Sequence, residues 1–133
     1  MNTNVADLAS LLAEATVMQA SLEVTMSENP VEAMERGNEL MVIIARSGKM
    51  KADAEYHLNS AQFSEVYKQL RKVIENMPGN ISVKLQNSIV DNVCKDEKYL
   101  VSWCDRINRS ATHQLDYIRT VISYAKSEMN NKL

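Results

Sequence analysis

"NPVEAMERGNELMVIIARSGKMKADAEYH", residues 29–57, is the stretch whose reading decides the fold. Asn29 is a natural N-cap, Pro30 fits the first helical position, and Glu32 sits where the acid of a capping box would. Beyond the cap, Met34, Gly37, Met41, Ile44, Gly48, Ala52 and Tyr56 recur at a spacing close to 3.6. Phe63, Val66, Leu70, Ile74 and Met77 carry the same stripe onward. The spacing predicts one helix over 30–77, with 59–61 as the place where it would break, because Asn59 and Ser60 lower helix propensity there. "MPGN", residues 77–80, ends it.

The flanking segments keep the same period. Leu8, Leu11, Leu12, Ala15, Met18 and Leu22 predict a helix over 5–26, capped by Asn4 or Thr3. Val83, Leu85, Ile89 and Val93 predict a short one over 81–93. Leu100, Cys104, Ile107, Ala111, Leu115, Ile118, Ile122, Ala125 and Met129 predict a second long helix over 96–130. No segment alternates with period two. The expectation is a single all-α domain over 1–133: a helical bundle of two long antiparallel helices with two shorter ones packed along them. A helix over 30–77 would be about 72 Å long. A compact chain of this size has a radius of gyration of only roughly 14 Å. Either that helix breaks or another subunit covers its overhang, so a homo-oligomer that completes the bundle is expected.

Composition narrows the function classes. The 133 residues carry a net charge of −2, which gives no global nucleic-acid signature. Cys94 and Cys104 form no CxxC pair and read as reduced thiols, which with the lack of a signal-like start places the protein in the cytoplasm. The longest apolar run, Leu40 to Ala45, is far short of the roughly 20 residues of a membrane span. "SGK" at 47–49 lacks the first glycine and the preceding strand of a phosphate loop. His57, His113 and the two cysteines match no zinc spacing. An enzyme is disfavoured, and no cofactor is expected.

Each long helix nevertheless carries a polar strip. Arg46, Lys49, Asp53 and His57 share one face of the first, and Arg106, Arg109, His113 and Asp116 one face of the second. In antiparallel helices the two strips would meet near mid-height. Three readings follow: a solvated face with weak i, i+4 pairs, a buried network setting helix register, or a cationic seam that takes an anion. In the last, Arg46, Lys49, Arg106 and Arg109 hold phosphate, His57 and His113 donate hydrogen bonds, and Tyr56 or Trp103 stacks on a base. Gly37, Gly48 and Ala111 lie on the apolar stripes, where they read as points of close helix approach. Gly48 would also open room for something polar beside it. Met18, Met26, Met34 and Met41 read as core or as an adaptable partner surface.

"ARSGKMKADAEYHL" (45–58) together with "WCDRINRSATHQLDYIRTVIS" (103–123) resembles small all-helical proteins of phages and prophages of gut anaerobes. That resemblance implies an accessory protein in the host cytoplasm, serving recombination or counteracting host defence. The functional expectation is a non-enzymatic protein that binds a nucleotide signal or nucleic acid through the two strips. The alternative is a helical adaptor or inhibitor that binds a host protein and no small molecule.

Overall fold

A computed structural model describes residues 4–76 and 82–131. Five helices follow one another: α1 (Leu8–Leu22), α2 (Pro30–Gln62), α3 (Glu65–Glu75), α4 (Val83–Val93) and α5 (Lys95–Asn131). Among the described residues there is no strand. The cap of α2 is as the sequence dictates. The Asn29 side chain accepts from the Val31 and Glu32 N–H groups, and Pro30 opens the helix. α1 starts later than expected. Its cap is Asp7, which accepts from the Ser10 N–H at 2.7 Å, in place of the expected Asn4, and Thr3 lies outside the described residues.

The helix expected over 30–77 is two helices. α2 stops at Gln62, and Ser64 caps α3 by accepting from the Tyr67 N–H while its hydroxyl donates to the Ala61 carbonyl. The break falls at 63–64 rather than 59–61, because a serine that can cap beats the mildly poor helix formers before it. At 33 residues α2 is about 50 Å long, so the overhang that called for another subunit is gone. The "MPGN" stop and the first residue of the 81–93 helix lie outside the described residues. α4 ends at Val93, and α5 begins after the single turn residue Cys94, with Asp96 and Glu97 in its first turn.

Three helices make the bundle. Lys51 reaches Asp105, Asn108 reaches Ile44 and Ser47, and Gly37 lies under Ile118, so α2 and α5 run antiparallel. Glu14 with Arg46 and Ser21 with Arg36 set α1 antiparallel to α2. The core between them holds Leu11, Ala15, Met18, Leu22, Ala33, Leu40, Ile43, Met50, Ala54, Leu100, Cys104, Ile107, Ala111 and Ile118. α3 and α4 pack on each other and bridge the end of α2 to the start of α5.

The register of α2 differs from the sequence expectation. Its core face is Ala33, Gly37, Leu40, Ile43, Ser47, Met50 and Ala54. Met34 and Met41, each 59% exposed, lie on the outside with Val31, Val42, Ala45, Gly48, Ala52 and Tyr56. Within α2, only Gly37 of the predicted stripe is buried, with Ile44 half-buried. α2 thus carries apolar side chains at helical spacing on two faces, and the core takes one of them.

Candidate functional site

The two polar strips do not meet. α1 and the residues before it occupy the space beside the α2 strip. Arg46 donates from Nε to Glu14 Oε1 at 2.5 Å and from Nη2 to Glu14 Oε2 at 2.9 Å. This two-pronged hydrogen bond holds the Glu14 carboxyl below the ordinary glutamate range and raises Arg46. Lys49 pairs with Asp53 and donates to the Asn4 carbonyl at 2.9 Å. Buried Asp53 also accepts from the Ala6 N–H at 3.1 Å. Burial pushes the Asp53 carboxyl up, but Lys49, the Ala6 N–H and Arg46 together outweigh it and hold it low. His57 Nε2 lies 2.6 Å from the Ala6 carbonyl, which can only accept, so Nε2 carries the proton. Tyr56 is exposed, with its ring edge-on to His57 at 6.0 Å between centroids.

Of the expected ligand-binding set, Arg46, Lys49 and His57 therefore serve the fold: they fasten α1 and its leading segment to α2. The space expected beside Gly48 is open: a Cβ built there meets nothing within 4 Å among the described residues. Gly37 behaves otherwise, with Ile118 Cγ2 3.5 Å from where its Cβ would be.

On α5, Arg106, Arg109 and His113 face outward. Arg109 pairs with Asp105 at 3.0 Å yet is 74% exposed, and Asp105 also accepts from Lys51. Trp103 is half-buried: its indole N–H donates to Gln19 Oε1 at 3.1 Å, and its ring lies 5.8 Å from that of exposed Tyr99. Tyr99, Ser102, Trp103 and Arg106 line an open groove of about 200 Å³. Among the described residues Arg106 makes no ion pair.

The sequence reading missed the residues that hold the bundle together. Arg36 donates to the Ser21 carbonyl at 2.6 Å and to Gln114 Oε1 at 3.2 Å, and Gln114 donates to the Leu22 carbonyl at 2.8 Å. The last carbonyls of α1 have no partner within their own helix, so these two side chains cap it from its neighbours. Asn108 ties α5 to the mid-section of α2, donating to the Ile44 carbonyl at 2.9 Å and to Ser47 Oγ at 3.1 Å. Arg36 adjoins Gly37 on the core-facing side, which is the one sequence signal that pointed to it.

The remaining feature is the uncovered outer face of α2. Glycine in a helix interior costs roughly 1 kcal/mol against alanine, and none of the described residues fills the space at Gly48. The neighbouring face of α1 is also apolar. Glu14 is the only charged residue of that helix, and Ala13, Val17 and Ala20 are exposed. In the register set by Glu14–Arg46, Val17 lies level with Val42. A helix apolar on both sides normally has neighbours on both sides.

Among the described residues no three His, Cys, Asp or Glu side chains gather to hold a metal ion, and no helix is long and apolar enough to cross a membrane. The chain matches no protein family, curated protein or solved structure.

Proposed function

We propose that the protein is a helical protein–protein interaction module, an adaptor or inhibitor, that docks its partner on the outer face of α2 with α1 alongside. One observation carries this reading: α2 presents Met34, Met41 and Val42 to solvent while a separate set of residues fills the core. Methionine's unbranched, polarizable side chain suits such a surface. In keeping with the phage resemblance, the partner is a protein in the host cytoplasm, a second copy of this chain included, and the module performs no chemistry of its own.

A second reading rests on α5. Arg106, unpaired among the described residues, stands beside Trp103 and Tyr99, with Arg109 and His113 further along the same side. This is the part of the expected phosphate site that the fold leaves free. A thermal-shift panel of nucleotides and short single-stranded oligonucleotides separates the two readings, since a ligand that binds only the folded state raises the melting point. A flat panel is expected. A shift that Arg106→Glu abolishes would transfer the function to α5.

A further inference from the structure

Resting on that docking reading, we propose that the face is occupied by a second copy of this chain, its α2 antiparallel to the first about a two-fold axis passing between Val42 and Ala45. The exposed stripe is graded along its length. Val31, Met34, Met41 and Val42 are large and lie in the first half, whereas the second half holds Ala45, Gly48 and Ala52 and is large only at Tyr56, its last residue. Antiparallel pairing sets Met41 level with Ala45 of the second copy, Asn38 with Gly48 and Met34 with Ala52. Each methionine meets an alanine, and Asn38 lies opposite the open space at Gly48. Parallel pairing would set methionine on methionine and glycine on glycine.

Charge points the same way. Glu35 and Lys49 lie on one flank of the stripe, Glu35 toward its start and Lys49 toward its end. Two antiparallel helices related by a two-fold axis bring like flanks together, so Glu35 of each copy comes within about a turn of Lys49 of the other. Glu35 has no ion pair among the described residues, and the Lys49 side chain keeps 44% of its surface exposed beside Asp53. The extent also fits. From Val31 to Tyr56 the stripe runs about 38 Å, and with α1 beside it the face is about 20 Å wide, on the order of the roughly 800 Å² that each partner gives to a standard interface.

Light scattering on the whole chain is expected to report twice the 15.0 kDa monomer mass, and Gly48→Glu to halve it with helicity unchanged. Cysteine cross-linking then fixes the direction, Cys94 and Cys104 being buried. Ala45→Cys near the axis links to itself under a mild oxidant. Met34→Cys, about 28 Å from its own counterpart, does not, but a mixture of Met34→Cys and Ala52→Cys chains links across. A monomer at all concentrations, or self-linking of Met34→Cys, overturns the proposal. A photo-activated cross-linker at Ala45 keeps the two readings apart in cells. An adduct of other mass from a monomeric protein defeats self-pairing alone, and no adduct at all defeats the docking reading with it.

Discussion

Arg46 of α2 grips Glu14 of α1 with two parallel hydrogen bonds, 2.5 and 2.9 Å long, on the edge of the bundle. Seven residues further along α2, buried Asp53 takes the Ala6 N–H, and next to it on the same side His57 takes the Ala6 carbonyl. The strip that looks like an anion site is a fastening for the N-terminal part of the chain. It draws those residues to one flank of α2, α5 covers another, and the outer face between them is left bare.

Asp53→Ala leaves the half-buried Ala6 N–H without its acceptor and removes the ion pair of Lys49, which keeps the Asn4 carbonyl. The expected cost is about 1–3 kcal/mol. Urea unfolding followed by circular dichroism would give it as a lower midpoint, and the amides near Ala6 would lose hydrogen-exchange protection before those of α5.

The pH dependence follows from Glu14 and Asp53. Both carboxyls sit below their ordinary values of 4.5 and 3.8 in the folded protein. A lowered folded pKa gives stability that is present above the ordinary value and lost as pH falls through the folded one. The melting temperature is expected to hold from neutrality to about pH 5 and to fall steadily below that. The double variant Glu14→Gln, Asp53→Asn melts lower at neutral pH and shows a shallower acid decline.

The two helical glycines respond differently to a side chain. Gly37→Ala places a methyl in ordinary contact with Ile118 and Leu115 and removes the glycine's backbone cost, so stability rises by up to about 1 kcal/mol. Gly37→Leu overpacks the α2–α5 seam and lowers it by about 1–3 kcal/mol. At Gly48 a Cβ has nothing within 4 Å among the described residues, so Gly48→Leu is expected to act on association rather than on the fold. Denaturant midpoints and light scattering on the three variants check this directly.

Leu40 and Met41 are adjacent in sequence and opposite in consequence. Leu40 is fully buried, and Leu40→Ala is expected to cost about 2–5 kcal/mol. Met41→Glu leaves the core untouched and is expected to keep the helical circular dichroism signal while losing partner binding.

Much of this fold was legible because helical spacing runs unbroken through α1, α2 and α5 and nothing alternates with period two. Asn29 and Pro30 announced the start of α2 in the letters themselves. The break at 63–64 was hidden because Phe63 and Val66 keep the stripe in phase across it, and Ser64 followed by Glu65 was the cap signal that marked it. The register of α2 was illegible for a plainer reason. Gly37–Leu40–Ile44–Ser47 and Met34–Met41–Ala45–Ala52 both obey the helical period, and spacing cannot say which the core will take. Nor does a strip of Arg46, Lys49 and His57 disclose that its partners are the carboxylate of Glu14 and two backbone carbonyls, of Asn4 and Ala6, because a carbonyl leaves no mark on the sequence.

The measurement that tests the central claim most directly is photo-cross-linking in cells, with the activated side chain placed at Ala45 on the outer face of α2 and, as a control, at exposed His113 on α5, off the flank by which Asp105 and Asn108 reach α2. A discrete protein adduct from Ala45, lost on Met41→Glu and absent from His113, is the predicted result. No adduct from Ala45, or equal adducts from both positions, would contradict the assignment of α2's outer face as the surface this protein uses.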